Sequence, residues 1–492
     1  MKRAGREKLV TRIDAIERAN RYYDSGAFLR DLERRVALRS ESQGDVAPEL
    51  LRDYLDDLTP ALDAMGFTVR MLDNAAPGAP PMLIAERHES SDLPTVLIYG
   101  HGDVVRGQAD RWREGLSPWT IHVEGDRLYG RGTADNKGQH SINLGALQSV
   151  LATRGSLGFN AKLLIEMGEE RGSPGLNETC ARHAEELAAD VLIASDGPRL
   201  QPDKPTIFLG SRGIMLIKLW LDLRQGAHHS GNWGGILRNP ATTLAAAINH
   251  IVDADGVILV DAMRPPLAAA STRAALAALP VGGAPNDPML DAGWGEPGMS
   301  PGERLFAWNS FDVLAMQSGD VENPIGAIPP TAVAHCQLRF VVGTDIDRIE
   351  TQLRQRFDES GLTMVQLSVA LGAPASRLDP DDPWARWTAA SIERTTGKPA
   401  AVLPNFGGTL PNNVFSETLN LPTIWIPHSY AACAQHAPNE HLLGSVAREG
   451  LQIMAGLFWD LGEGGPYGGA AATDWDAPGG RHGYRGIEAW QR

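Results

Sequence analysis

The stretch TVLIYGHGDVV, residues 95–105, decides the class of fold. It opens with a short apolar run, Thr95–Tyr99, stops at Gly100, and passes at once into His101-Gly102-Asp103. The same order of residue types recurs along the chain. Lys162–Ile165 leads into Glu166-Met167-Gly168-Glu169-Glu170, and Val191–Ala194 leads into Ser195-Asp196-Gly197. Thr423–Ile426 is a further short apolar run, and helical patterns fill 137–154 and 176–189. Short buried strands alternating with amphipathic helices predict an α/β sheet covered on both faces.

Outward from this core, residues 12–40 and 49–65 read as amphipathic helices. A change comes near Gly210. Residues 214–223 (IMLIKLWLDL) read as a long strand, 240–253 as a helix, 265–301 as a Pro/Gly-rich stretch, and 332–342 as a second strand. This block reads as an α+β insertion into the first sheet's chain. Alternation resumes after about residue 385. The last helix, 445–460, places Val446, Leu451, Met454 and Leu457 on one side. The predicted organisation is a catalytic α/β domain over 1–207 and 386–462, with a mixed sheet flanked by helices. An inserted α+β domain covers 208–385, and a Gly-rich tail covers 463–492.

The bulk numbers bound the function. At roughly 100–200 residues per domain, 492 residues make two or three domains. Hydrophobic residues make up 43% and charged residues 21%, which is globular. The formal net charge is -15 and there is no Lys/Arg run, so nucleic acid is not an expected partner. The three cysteines, Cys180, Cys336 and Cys433, form no C-x-x-C pair. The first twenty residues lack an apolar signal core, and no apolar run approaches the ~20 residues of a membrane span. The expectation is a cytoplasmic protein with no membrane partner.

The chemistry lies at the ends of these apolar runs. Strand ends of an open α/β sheet border its ligand crevice, so the carboxylates and histidines placed there are expected to converge. Asp135, in Gly130-Arg131-Gly132-Thr133-Ala134-Asp135, stands just before a helix, and His436 lies in Gln435-His436-Ala437-Pro438-Asn439-Glu440. Clustered carboxylates repel one another unless cations sit among them. Two His and three Asp/Glu ligands suit zinc or a neighbouring borderline metal. Two such ions about 3.5–4 Å apart can share a carboxylate and a water. A carboxylate beside them can move the proton, and the tandem Glu169-Glu170 offers one residue for each task. Each string alone is a weak signal; their joint order is specific.

Those strings resemble the M20 metallopeptidase family of carboxypeptidases, carnosinase-type dipeptidases and acyl-amino-acid deacylases. The matching stretches are YGHGDVV (99–105), GRGTADNKG (130–138), EMGEERGSPG (166–175), ASDG (194–197), AHHSGNWGG (227–235) and QHAPNEH (435–441). The resemblance implies two divalent metal ions per subunit, zinc foremost, with manganese or cobalt as alternatives. It implies His101, Asp135, Glu170, Asp196 and His436 as metal ligands, with Asp135 bridging and its bond to Asn136 cis. Asp103 would orient His101, and Glu169 would be the general base and acid. The inserted block would be a lid that pairs with its copy in a homodimer. His229 would reach across that dimer to stabilise the oxyanion. Arg339 and the loop Gly407-Gly408-Thr409 would hold a substrate carboxylate. The substrate would be a small molecule or short peptide, a dipeptide or N-acyl amino acid. The alternative is an amidohydrolase or deaminase acting on a non-peptide amide or aryl amine.

Other polar and aromatic residues read as structural. Arg131 and Lys137 are expected to be structural or solvated, His228 a mere neighbour of His229, and Trp233 a packing residue. Two features depart from the family pattern: the string Gly-Asp-Val-Val at 102–105 lacks the Pro that often follows it, and the insertion at 265–305 and the Gly-rich tail are not core family features.

Overall fold

A computed structural model describes residues 10–44, 47–282 and 288–467. The expected tail, 463–492, therefore lies outside the described residues beyond 467. The chain divides into two compact units. The first takes the chain up to Leu209, Leu378–Val402, and Val414 onwards; the second takes Gly210–Arg377 and Leu403–Asn413.

The strands that build the two main sheets are, in chain order, β1 (Thr68–Leu72), β2 (Met82–Arg87), β3 (Thr95–His101), β4 (Asn160–Glu166), β5 (Val191–Ala194), β6 (Thr206–Phe208), β7 (Gly213–Asp222), β8 (Ser310–Gln317), β9 (Thr331–Phe340), β10 (Gln366–Ala373), β11 (Ala401–Leu403) and β12 (Thr423–Trp425). The helices that pack on them or on one another are α1 (Arg12–Asp24), α2 (Ala27–Ala37), α3 (Pro48–Ala64), α4 (Lys137–Arg154), α5 (Pro240–Asn249), α6 (Ile349–Glu359), α7 (Pro383–Thr396) and α8 (Gly444–Leu461).

The first unit is built on an eight-stranded sheet in the order β1-β2-β4-β3-β5-β12-β6-β11. It is mixed. β3 runs parallel to β4 and β5, and β5 parallel to β12, while β2 joins β4 antiparallel. The register sets His101 beside Glu166 and Tyr99 beside Ala194. The three central parallel strands thus end at one edge, and the residues after them share it. Their continuous apolar composition reflects burial: every residue of β4 is buried. Helix α4 packs on β3 and against α1 and α8, and α7 lies on α8. This leaves α4 almost wholly buried from Lys137 to Val150.

Two expected helices prove to be broken. The pattern over 12–40 is split by Gly26, whose φ of +75° is a left-handed conformation that glycine adopts cheaply. The pattern over 176–189 becomes Leu176–Arg182 and Ala184–Leu187, joined at His183. Helix α8 buries more than the one expected side, because α1, α4 and α7 all pack against it.

The second unit is an antiparallel four-stranded sheet, β8-β9-β7-β10, with α5 and α6 on it. Strand β7 alternates strictly. Met215, Ile217, Leu219 and Leu221 enter a core with Leu244 of α5 and Phe357 of α6, while Leu216, Lys218 and Asp222 are exposed.

Candidate metal centre

His101 is the last residue of β3 and is fully buried. Its Nε2 lies 3.2 Å from Oδ1 of Asp135 and 3.5 Å from Oδ2 of Asp196. On the other side of Asp135, Oδ2 lies 3.2 Å from Nε2 of His436, which is 3.0 Å from Oε2 of Glu170. The ligand atoms of His101, Asp135 and Asp196 all lie within 4.8 Å of one another, as do those of Asp135, Glu170 and His436. The fold thus brings together all five residues expected to hold metal. Each oxygen of Asp135 serves one group, which is the arrangement a bridging carboxylate needs. Glu169 belongs to neither group; its Oε2 stands 4.0 Å from His101 Nε2.

These donors fit divalent cations. Two triads of imidazole and carboxylate match the ligand set of zinc and its neighbours. Oε1 of Glu170 is buried with no hydrogen-bond partner among the described residues, a lone pair left for a cation.

Backbone geometry places each donor. Asp135 stands at a cis bond to Asn136, immediately before α4. Its loop is tied down by Glu440, to which sequence reasoning assigned no role. Oε1 of Glu440 accepts the backbone N–H groups of Gly132, Ala134 and Asp135 at 3.1, 3.0 and 3.0 Å. Oε2 accepts from Arg131 at 2.7 Å. Gly138 is required because a Cβ there would sit 1.9 Å from the Thr133 carbonyl oxygen. Gly102 is required because a Cβ there would strike the Tyr54 ring at 2.3 Å. Within 434–439 the non-glycine residues Ala434, His436 and Asn439 take left-handed φ values, a concentration typical of functional loops.

Further residues brace the ligands. Nδ1 of His101 is 3.1 Å from the Asp103 carbonyl oxygen and 3.3 Å from its Oδ1. The Asp103 carboxylate also accepts the backbone N–H groups of Glu169 and Glu170, each at 3.2 Å. Asn136 donates to the Ser195 carbonyl at 2.7 Å and pairs with His140, whose Nε2 meets the Tyr54 hydroxyl at 2.6 Å. Arg131 and Lys137 are both fully buried, so the solvated reading of them is corrected; Lys137 donates to the carbonyls of Arg35 and Leu38.

The electrostatics arise from burying acids beside imidazoles. Burial raises Glu169 well above the usual carboxylate range, and the charges of Asp196 and Glu170 add to it. Burial and the charge of Asp135 raise Glu170 to about 7. Hydrogen bonds to Asp135 and Glu170 push His436 up to about 11. For His101 burial acts downward, but the carboxylates of Asp103, Asp135 and Asp196 outweigh it and hold the pKa well above its ordinary value. Histidine binds a metal as the neutral ring, so cation binding competes with these protons.

The remaining candidates lie in the second unit. Arg339, on β9, donates to the Thr409 hydroxyl at 3.0 Å, so two of the expected carboxylate-binding elements meet. Gly407 is joined to them by Arg212, which donates to its carbonyl at 2.7 Å. Gly408 stands between these two bonded residues in the chain. His229 pairs with Ala327 in a short two-stranded ladder and is exposed; its Nδ1 accepts the Gly231 N–H at 3.1 Å. Trp233 is 46% exposed, edge-on to His228, which corrects its reading as a packing residue.

The family model described as "Peptidase family M20/M25/M40" matches residues 97–460. A Beta-Ala-His dipeptidase of Rattus norvegicus is 32% identical over 260 residues, 50% of this chain and 52% of that enzyme. The chain thus spans about half the length of that relative, and of its Mus musculus counterpart. The Homo sapiens Beta-Ala-His dipeptidase is 25% identical over 91% of this chain and 93% of its own. Among solved structures, human carnosine dipeptidase 1 superposes with a TM-score of 0.74 at 23% identity, covering 91% of this chain and 98% of the other. An M20 family metallo-carboxypeptidase from Sulfolobus solfataricus gives 0.74 at 23%, covering 88% and 99%. No described helix is long and apolar enough to cross a membrane.

Proposed function

The chain belongs to peptidase family M20/M25/M40, and from that premise we propose that it is a dinuclear metal-dependent hydrolase of small amides that carry a free carboxylate, dipeptides foremost. The observation that carries this reading is the sharing of Asp135 between two ligand groups, with Glu169 beside them and in neither. Dipeptides come first because the Rattus norvegicus and Homo sapiens relatives are named for dipeptide hydrolysis.

In this reading His101, Asp135 and Asp196 hold one cation, and Asp135, Glu170 and His436 the other. Bound there, the pair supplies Lewis-acid polarisation of the scissile carbonyl and acidifies the attacking water. Glu169 takes the proton of that water on its carboxylate and returns it to the leaving amine nitrogen. Asp103 keeps the His101 ring oriented. Arg339 and the Gly407–Thr409 loop take the substrate carboxylate, for which a planar guanidinium is well matched. His229 stabilises the oxyanion of a partner subunit's substrate. A homodimer through the second unit is supported by β8, an edge strand that exposes Val313, Leu314 and Met316.

The test is a hydrolysis panel of dipeptides, N-acyl amino acids and N-carbamoyl compounds, run on protein reconstituted with zinc, manganese or cobalt. The expected result is turnover of dipeptides at two metal equivalents per chain, abolished by chelator. Turnover confined to substrates without a free carboxylate would favour the amidohydrolase alternative. Full turnover after exhaustive chelation would overturn the metal mechanism itself.

A further inference from the structure

Arg212 passes unnoticed in the sequence, yet it fastens both ends of the Gly407–Thr409 loop. Its Nε donates to the Gly407 carbonyl at 2.7 Å, and its own carbonyl accepts the Thr409 hydroxyl at 3.0 Å. The flanking backbone is paired as well. Phe406 N–H donates to the Gly210 carbonyl at 2.7 Å, and Arg212 N–H donates to the Phe406 carbonyl at 3.3 Å. The Ser211 hydroxyl donates to the Leu410 carbonyl at 3.2 Å. Thr409 then hands the constraint onward. A hydroxyl has one proton. With that proton committed to Arg212, the oxygen is left to accept from Arg339, which it does at 3.0 Å.

The two arginines are also neighbours electrically. Arg339 is paired with Ile214 across the sheet, two residues beyond Arg212. Arg212 is 5% exposed. Burial, then the charge of Arg339, draws its guanidinium down to about 10, and Asp312 is the acid whose charge reaches both. Two guanidinium charges that act on each other are better tolerated when an anion joins them.

We propose that Arg212 is the positioning residue of the carboxylate subsite: it locks the Gly407–Thr409 loop and, through the Thr409 hydroxyl, fixes one arm of the Arg339 fork. The remaining donors of that fork are then presented to the substrate carboxylate in one orientation. This rests on the reading of Arg339 as the carboxylate-binding residue. Arg212 itself acts through Thr409 and need not touch the substrate.

The experiment uses the metal-loaded full chain, the dipeptide it hydrolyses fastest, and the C-terminal amide of that dipeptide. Arg212→Met is expected to raise KM for the free dipeptide about tenfold or more, as for losing a hydrogen bond to a charged group, with kcat within about threefold. KM for the amide should stay unchanged, so selectivity for the carboxylate falls. Thr409→Val should move KM the same way. Arg212→Lys, which keeps a donor for Gly407, should recover much of the loss. If Arg212→Met does not fold, Thr409→Val and Arg212→Lys carry the comparison. Equal losses on dipeptide and amide, or a kcat that falls in step with the melting temperature, would make Arg212 a structural strut and overturn the proposal. A raised KM in Arg339→Met with none in Arg212→Met or Thr409→Val would overturn it too, while leaving the reading of Arg339 intact. No KM change in Arg339→Met would instead sink that reading.

Discussion

Oδ1 of Asp103 accepts the backbone N–H of Glu169 at 3.2 Å, and the same oxygen lies 3.3 Å from Nδ1 of His101. One carboxylate therefore sets a proposed metal ligand at the end of β3 against the proposed acid–base residue after β4. Asp103→Asn should disturb both at once. The neutral side chain weakens the hold on the imidazole, and its amide nitrogen cannot accept the Glu170 N–H that Oδ2 now accepts. The expected loss in metal affinity is about 10–100-fold, the usual cost of removing a partner behind a ligating histidine. Titration against a competing chelator measures it; unchanged affinity would leave Asp103 with no orienting role.

Glu169 and Glu170 are adjacent in sequence and should behave oppositely. Glu169→Gln is expected to bind two metal equivalents while kcat falls by at least ~10²-fold, as for loss of a general acid–base. Glu170→Gln should lose metal, since Glu170 lies within the ligand group of Asp135 and His436. Metal analysis of the purified variants, set beside kcat, separates the two. A Glu169→Gln protein with wild-type turnover removes that residue from the reaction.

His229 should act across a subunit boundary. His229→Ala is expected to be inactive yet dimeric, and mixing it with Glu169→Gln should restore part of the activity. In such a hybrid one site has both its own Glu169 and a neighbour's intact His229. Activity of the mixture after subunit exchange is the measurement, and a flat zero would confine His229 to its own chain or exclude it.

His428 predicts a pH dependence of stability. Its ring is fully buried, neither nitrogen has a hydrogen-bond partner among the described residues, and a Cβ on Gly450 would lie 2.8 Å from Nδ1. Burial, then the charge of Arg199, holds its pKa well below the ordinary value. The unfolded chain takes up a proton near pH 6.5 that the folded one refuses, so stability is lost as pH falls below that point. At pH 5.5 this group alone costs about 1.4 kcal/mol. Denaturant midpoints of wild type and His428→Asn, compared at pH 7.5 and 5.5 with metal held constant, should show a smaller acid loss in the variant. Equal losses would mean that His428 is protonated in the fold.

Burial writes itself locally, and those parts of the fold are legible in the sequence. Strands β3, β4 and β5 lie inside the sheet and appear as apolar runs cut off by Gly or Asp, and the helical pattern over 137–154 coincides with α4. Strands β1, β2, β8 and β10 escape such a reading. Each has a partner on one side or a mixed composition, such as TVRML in β1 and QLSVALGA in β10, and their pairing is specified by distant segments. The candidate metal ligands are legible because each sits beside a strand end or a glycine turn within a recognisable string. Glu440 and Arg212 are not. A carboxylate that gathers three backbone N–H groups looks, in sequence, like any loop glutamate, and an arginine that grips a loop nearly two hundred residues away carries no local mark of it.

The bond between Glu440 and the backbone of Asp135 spans 305 residues. While the protein is being synthesised, the turn that carries Asp135 leaves the ribosome long before its anchor exists, and His436 arrives only just ahead of that anchor. A nascent chain that stops short of this point lacks one candidate ligand of the second group and the brace that steadies Asp135 for both. Assembly of the proposed paired centre would therefore be a late event in the life of the polypeptide, waiting on Glu440 rather than on the folding of the first strands.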